Sequence, residues 1–214
     1  QSKAQKDLGI KYNSLSGFLE KIKNAITVPY PEFEKKELKD HEGNYHQISN
    51  GIIQIENEYY DSIRPKRSSS DNMRPYDLLK NFGIEYVEVR GIDISPHDLT
   101  GMSIHQMHFL DLILLYCLIK PSPEISDEEK NEIDSNDYKA IYKGRDEGIE
   151  ILIDGVETNI RSAKNKIIKD LKLLAGYLKE SNSIYESIEI VLNSKKGIIS
   201  DDSFHNTGLE KAKS

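Results

Sequence analysis

Charged side chains alternate with apolar ones along two segments of the chain, residues 51–60 and 83–94. Because side chains on a strand point alternately to its two faces, this period of two predicts two strands, each with an apolar and a charged face. A basic cluster lies in the predicted turn between them. The charged residues concerned are Glu56, Glu58, Arg64, Lys66, Arg67, Glu88 and Arg90.

Carboxylates on the same face of a strand lie about 7 Å apart. At that distance they repel by about 0.6 kcal/mol in water and by about 2.4 kcal/mol at an effective dielectric constant of about 20. A partly enclosed acidic face therefore favours a cation: Arg90, the basic cluster or a divalent metal. Carboxylate oxygens suit magnesium, which is commonly bound together with phosphate, and neighbouring bases would then contact the phosphate oxygens. The alternative is a solvated sheet face whose surface ion pairs contribute little, and the pattern alone leaves both open.

The remaining elements are mostly helical. Helical spacing of apolar residues predicts helices over 14–26, 75–81, 103–119, 126–143, 162–180 and 184–192, with a loop over 30–50 and a short strand over 149–153. Ser14 and Ser126 are the expected N-terminal caps, and Gly83 is expected to end the second helix. Strands early and helices late predict an α+β fold.

Composition excludes several classes of protein. The chain has 214 residues and a formal net charge of −7, which argues against a nucleic-acid partner. No apolar run is long enough to span a membrane, and a single cysteine, Cys117, excludes a disulfide framework and favours a reducing, cytoplasmic location. We expect Cys117 to pack as a small apolar residue. His105, His108 and Asp111 drift around their helix, so we expect a structural role for them, with Asp111 at least half-buried.

Four blocks of sequence closely resemble the proteobacterial type of glutamate–cysteine ligase. They are QIENEYY at 54–60, IRPKR at 63–67, GIEYVEVR at 83–90 and DISP at 93–96. The similarity runs from about residue 8 to about residue 112, and more weakly to about residue 195. Several blocks in the same order and spacing make a more specific signal than one short motif.

The resemblance implies a fold related to that of glutamine synthetase, in which a curved antiparallel sheet holds ATP and Mg²⁺ and helices surround it. It implies a reaction in which ATP phosphorylates the γ-carboxylate of glutamate and the amine of cysteine attacks the acyl phosphate. Matched residue by residue, Glu88 corresponds to a magnesium ligand, Arg90 to a catalytic arginine at the transferring phosphate, and Tyr60 to a tyrosine of the cysteine pocket. Arg64 and Lys66 fall in a similar block, for which a substrate-phosphate role is the expectation.

The resemblance also implies an incomplete enzyme. The family's members are more than twice as long, and the chain begins with Gln1, so we expect a C-terminal fragment whose partner is the N-terminal part of the same ligase, and which is inactive alone. Within it, residues 1–100 are expected to hold the sheet and residues 101–214 the helical region of one catalytic domain. Two alternatives remain: a non-catalytic α+β interaction module, and a ligase that joins another amino acid and amine on the same sheet.

Overall fold

The computed structural model of the protein describes residues 3–68, 72–92, 94–95, 98–144, 146 and 148–178. Two units are distinguished by their internal contacts, one formed by residues 1–92 and 124–131 and the other by residues 93–123 and 132–214. The helices are α1 (Lys3–Lys6), α2 (Leu15–Thr27), α3 (Pro31–Glu34), α4 (Pro75–Phe82), α5 (Ile104–Ile119), α6 (Asp127–Lys143) and α7 (Ile160–Tyr177). The strands are β1 (Ile63–Lys66), β2 (Tyr86–Val89), β3 (Glu150–Ile153) and β4 (Val156–Asn159), and Glu56–Glu58 form a 3-10 turn.

Helix α2 organises the core of the first unit. The Ser14 side chain accepts a hydrogen bond from the Gly17 backbone N–H at 3.1 Å, which satisfies one of the unpaired donors at the start of the helix. The predicted helix over 14–26 is therefore confirmed. Its apolar face joins one cluster of buried side chains, which are Ile10, Phe18, Leu19, Ile22, Ala25, Ile53, Tyr59 and Leu79.

The strands of this unit lie at different positions from those expected. β1 and β2 pair antiparallel, with Arg64 opposite Glu88 and Lys66 opposite Tyr86. β1 is thus the basic segment that was expected to form a turn. The second predicted strand, over 83–94, is present only as Tyr86–Val89. The prediction of a strand over residues 51–60 is wrong.

Residues 51–60 are held by contacts with a helix and with their own side chains rather than by a strand. Ile53 donates its backbone N–H to the Ala25 carbonyl at the end of α2, at 3.1 Å. A Cβ atom at Gly51 would lie 2.3 Å from the Ile26 carbonyl oxygen, so this close approach requires glycine. Further along, Glu58 accepts the backbone N–H of Gln54 at 2.8 Å, beside the 3-10 turn. The alternation of apolar residues reflects partial burial here, not extended structure.

Helix α4 follows the sequence prediction closely. It starts at Pro75, which has no N–H to leave unpaired, and it ends at Gly83, whose φ of 78° is a conformation that favours glycine. Leu78 and Leu79 are its buried residues. The helix therefore packs on the first core through one apolar face.

The second unit is built on two helices. The Ser103 side chain and the Gln106 side chain form a reciprocal capping box that starts α5, and Asn159 caps α7. Leu112 of α5 packs with Leu171 and Ala175 of α7. The predicted helices over 103–119 and 162–180 are confirmed to residue 177, and the helix expected over 184–192 lies outside the described residues.

A hairpin in this unit is covered by side chains of α6. β3 and β4 are joined through Asp154 and Gly155, both with positive φ, and the strand expected over 149–153 is confirmed. The Asn136 side chain on α6 donates to the Leu152 carbonyl at 2.6 Å and accepts the Leu152 N–H at 2.8 Å. This amide pairs with the outer edge of β3 as another strand would.

Two side chains of α5 are more exposed than expected. Asp111 is exposed, and so is Cys117, which does not pack in the core of its unit. The helix is apolar all round, and Leu112 is its one buried residue. Across the part of the chain that the structure describes, no helix is both long and apolar enough to cross a membrane.

The architecture is α+β, as the sequence predicted, with seven helices and two small antiparallel sheets among the described residues. The helix expected to start at Ser126 is confirmed, because Glu129 donates its backbone N–H to the Ser126 hydroxyl at 3.1 Å. The loop expected over 30–50 is irregular apart from α3. The division of one catalytic domain near residue 100 stays a prediction.

Candidate active site

The pairing of β1 with β2 brings oppositely charged residues onto one face. Residues directly opposite each other on an antiparallel pair point to the same side, so Arg64, Lys66 and Glu88 share a face. Arg90 lies two positions beyond Glu88, and the alternation carries its side chain to that face too. The sequence assigned Glu88 and Arg90 to one face, and the register adds the two bases of β1.

Glu88 is the acid at the centre of this group. Its Oε2 atom accepts a hydrogen bond from Arg90 Nε at 2.8 Å and lies 3.8 Å from Lys66 Nζ. Its side chain is 34% exposed, so solvent reaches the carboxylate. Within the described residues, Oε1 accepts no hydrogen bond. Glu88 therefore has one oxygen held by cations and one available to a further ligand.

Arg90 is held from two directions. Its guanidinium lies 5.8 Å from the centre of the Tyr60 ring, within the range of a cation–π contact. Its backbone N–H donates to the Ser62 carbonyl at 2.7 Å, which continues the ladder beyond β1. The structure thus brings Tyr60, Lys66, Glu88 and Arg90 together, as four of the five residues that the sequence singled out.

Arg64 occupies a different environment from the other four. It is buried, and its guanidinium donates to the backbone carbonyls of Glu56 at 3.3 Å and Asn57 at 3.5 Å. Burial lowers the pKa of Arg64, and the positive charge of Arg90 lowers it further. Through these two hydrogen bonds the Arg64 side chain holds the 3-10 turn, and its charge stays close to Glu88 and Arg90. Its assignment to substrate stays a prediction.

Glu56 is a buried carboxylate whose oxygens are already occupied. Oε1 lies 3.3 Å from Arg74 Nε and 3.3 Å from the Tyr76 backbone N–H, and Oε2 lies 2.5 Å from Arg74 Nη2. Burial alone would raise the pKa of Glu56, but the hydrogen bonds from Arg74 and from backbone N–H groups hold it below its usual value. These contacts make Glu56 a brace at the start of α4.

A small pocket, open to solvent, lies beside β1. Its floor is apolar and is formed by Phe18, Leu19, Ile22 and Leu79. The remaining lining is mixed and includes Glu56, Arg64, Lys66, Arg67 and Tyr76.

The metal-binding potential of these residues is partial. Among the described residues, no group of three or more His, Cys, Asp and Glu side chains could hold a metal ion. Glu88 is a single carboxylate, and magnesium needs near-octahedral oxygen coordination. His105 and His108 do not join a cluster either, and His97 lies outside the described residues.

Sequence reasoning missed two groups beside the site. Arg74 is the ion-pair partner of Glu56. Its position directly before the proline that starts α4 is the one feature of the sequence that could have drawn attention to it. The second group is Tyr12 with Asp61, which are hydrogen-bonded at 2.8 Å although they lie 49 positions apart in sequence. Nothing in the local pattern of either residue could have indicated this contact.

Comparison with known proteins identifies the family. A family model described as glutamate–cysteine ligase matches residues 1–140. The chain is 36% identical over 191 residues to a glutamate–cysteine ligase of Wigglesworthia glossinidia brevipalpis, and the match covers 87% of this chain and 38% of that protein. It is 40% identical over 154 residues to the glutamate–cysteine ligase of Baumannia cicadellinicola, covering 72% of this chain and 29% of the relative.

A solved structure agrees with these sequence comparisons. The crystal structure of glutamate–cysteine ligase from Francisella tularensis in complex with AMP superposes with a TM-score of 0.80 at 27% identity, covering 91% of this chain and 40% of that one. The fold and the matched blocks are those of a ligase. The chain belongs to the glutamate–cysteine ligase family, and it spans between about a third and two fifths of the length of most of the relatives it matches.

The role of Glu56 as a brace predicts a pH-dependent loss of stability on its removal. Because the pKa of Glu56 is lower in the folded than in the unfolded protein, its contribution is present above the unfolded pKa and is lost as the pH falls through the folded one. We expect Glu56→Gln to lower the free energy of unfolding by about 1–3 kcal/mol near pH 7, and we expect this deficit to shrink as the pH falls from the unfolded pKa of about 4.3 through the folded one. Urea unfolding at several pH values measures this.

The matched control is Glu20→Gln, which removes one exposed carboxylate from α2. We expect it to change the free energy of unfolding by less than about 0.5 kcal/mol. A Glu56→Gln deficit that stayed constant with pH would contradict the brace as described.

Proposed function

We propose that this chain is part of an ATP-dependent glutamate–cysteine ligase, which joins the γ-carboxyl of glutamate to the amine of cysteine through a γ-glutamyl phosphate. This is the first step of glutathione synthesis. The observation that carries the proposal is the group of Tyr60, Lys66, Glu88 and Arg90 on one face of the β1–β2 pair, in a chain of this family. The AMP bound to the Francisella relative supports an adenine nucleotide as substrate. We place the enzyme in the cytoplasm.

Glu88 fits one position in a magnesium site. Its half-exposed carboxylate keeps Oε1 outside the contacts with Arg90 and Lys66, and hard oxygen ligands of this kind suit Mg²⁺. Magnesium bound there would draw together and partly neutralise phosphate oxygens. The other ligands would come from the part of the enzyme that the relatives have and this chain does not span.

Arg90 and Lys66 are the groups we assign to the transferring phosphate. The contact with Glu88 uses only Nε of the five N–H donors of Arg90, and Glu88 fixes the direction of the guanidinium plane. Phosphoryl transfer spreads negative charge over the phosphate oxygens, and positioned cations stabilise that charge. Lys66 adds a second positive charge on the same face, and the buried Arg64 adds a third.

Tyr60 is the residue we assign to the cysteine pocket. It is 50% exposed, and its ring lies against the guanidinium of Arg90. A ring in that position borders the place where the acyl phosphate would form. It can therefore contact the incoming amino acid while its face stays close to the cation that holds the phosphate.

We expect the isolated chain to have no ligase activity. Glu88 lacks other carboxylate ligands among the described residues, and a site with one protein ligand does not hold Mg²⁺ in a defined geometry. We expect the 214-residue chain to release no phosphate above background with glutamate, cysteine and Mg-ATP. The complete ligase, of the relatives' length, is the positive control. Robust turnover by the isolated chain would overturn this expectation.

Removal of the Glu88 charge should abolish activity in the complete ligase without unfolding it. Glu88→Gln keeps the shape of the side chain but weakens both the magnesium ligand and the partner of Arg90. We expect kcat to fall by at least about 100-fold, while the melting temperature changes by less than a few degrees because the side chain is not in the core. Phosphate release at increasing magnesium concentration measures the effect.

Glu157→Gln is the matched control for this variant, because Glu157 is an exposed strand carboxylate in the other hairpin. It should leave turnover within about twofold of the unaltered enzyme. Near-normal activity of Glu88→Gln would show that the metal assignment is wrong.

Tyr60→Phe tests the pocket for the amino-acid acceptor. The variant keeps the ring beneath Arg90 and removes the hydroxyl group. We expect the apparent KM for cysteine to rise by about fivefold to tenfold, the value of one lost hydrogen bond, with little change in the KM for ATP. Initial rates with cysteine or ATP varied separately measure both constants. An unchanged KM for cysteine would count against the role of Tyr60, and a preference for another amine would favour a different acceptor.

A further inference from the structure

Two tyrosine hydroxyls meet on one carboxylate directly behind the candidate site. Tyr12 Oη lies 2.8 Å from Asp61 Oδ2, and Tyr59 Oη lies 2.9 Å from the same oxygen. The other oxygen, Oδ1, accepts the backbone N–H of Ser62 at 2.7 Å. Asp61 thus accepts hydrogen bonds on both oxygens, from Tyr12, which is 49 positions away, and from Tyr59 and Ser62 of its own segment.

The two tyrosines that hold Asp61 both pack on Phe18 of the first core, although Tyr12 is 41% exposed. Tyr59 is 3% exposed and packs edge-on against Phe18, while Tyr12 stacks on the same ring with a centroid distance of 5.5 Å. Tyr12 Oη also lies 2.8 Å from the Ile63 carbonyl, so its single proton is shared between this carbonyl and Asp61. Partial burial, with the nearby Tyr59 and Asp61, raises the pKa of Tyr12, and the phenol, like any tyrosine at neutral pH, is protonated and donates.

The segment from Tyr59 to Ser62 therefore contacts the core on one side and Arg90 on the other. Tyr59 and Asp61 point toward Tyr12 and the core. Between them, Tyr60 places its ring 5.8 Å from the Arg90 guanidinium, and Ser62 offers its carbonyl to the Arg90 N–H. The side chain of Asp61 is the polar link that fastens this segment to the core at the position next to Tyr60.

We propose that Asp61, held by Tyr12 and Tyr59, is a positioning residue that sets the place of the Tyr60 ring and thereby the affinity for the amino-acid acceptor. The proposal rests on the function proposed above. Arg90 depends less on Asp61, because the β1–β2 ladder fixes its backbone independently. Loss of Asp61 should therefore affect the cysteine side of the site more than the phosphate side.

The test uses the complete ligase and separates positioning from folding. Asp61→Asn keeps the size of the side chain but replaces one accepting oxygen with an N–H₂ group, which cannot satisfy both the phenols and the Ser62 N–H. We expect the apparent KM for cysteine to rise about tenfold, while the KM for ATP changes by less than about twofold. A purely structural role would lower the fraction of active enzyme, which reduces kcat and leaves both KM values unchanged.

A second variant keeps the proposal testable if Asp61→Asn does not fold. Tyr12→Phe retains the ring stacked on Phe18 and removes only the hydroxyl. Because Tyr59 still holds Asp61, we expect the KM for cysteine to rise by only about threefold. Combined with Asp61→Asn, it should raise the KM for cysteine by less than it does alone, because only the bond of the hydroxyl to the Ile63 carbonyl then remains to be lost. Tyr45→Phe, at an exposed ring, is the matched control and should change neither constant.

The outcomes distinguish this proposal from the function on which it rests. If the unaltered ligase does not form a peptide from glutamate and cysteine with ATP, the proposed function fails. If it does, and Asp61→Asn and Tyr12→Phe leave the KM for cysteine unchanged or raise the KM for cysteine and for ATP in equal proportion, the positioning role of Asp61 is overturned.

Discussion

The register of β1 against β2 is the constraint on which the candidate site depends. The Arg90 N–H donates to the Ser62 carbonyl, and pairs alternate along an antiparallel ladder, so Arg64 and Glu88 form a hydrogen-bonded pair and Pro65 lies opposite Val87 at a non-hydrogen-bonded position. Pro65 has no backbone N–H, and at a non-hydrogen-bonded position the pairing with β2 does not require one. A slip of β1 by one residue would turn that missing donor toward β2 and carry its bases to the face away from Glu88.

The same register decides the electrostatic character of the face. One carboxylate, Glu88, lies among Arg64, Lys66 and Arg90, so this small area is positive although the whole chain carries −7. Arg64 supplies its charge from a buried position, where water screens it less than at the surface. Such a surface suits an anionic ligand that the rest of an acidic chain would repel.

The sequence predicted the helices well because their signals are local. Ser14, Ser103 and Ser126 cap the starts of three helices, and the apolar spacing within each segment supplies the rest. It also placed Glu88 and Arg90 on one face, since alternation within a real strand needs no information from elsewhere. The resemblance to the family added the residues that alternation could not select, above all Tyr60.

The failures arose where distant contacts override a local pattern. Residues 51–60 alternate as a strand would, but Glu56 is drawn to Arg74 and Ile53 to the end of α2, and both contacts join positions far apart in sequence. The apolar helix α5 was expected to bury Cys117, yet a helix that is apolar all round gives no indication of which side faces its partner.

Glu56 and Glu88, two of the three glutamates in the alternating pattern, differ because of what surrounds them, not because of their chemistry. Glu56 is enclosed, and Arg74 and the first turn of α4 occupy both of its oxygens, so a metal there would have to displace an arginine and break a helix start. Glu88 keeps solvent on one side and holds its cations on a single oxygen. A carboxylate that is half satisfied can exchange partners during a reaction at little cost, whereas a saturated one cannot. This difference in saturation, more than the identity of the residue, makes Glu88 the better candidate for a site that must bind and release charged substrates.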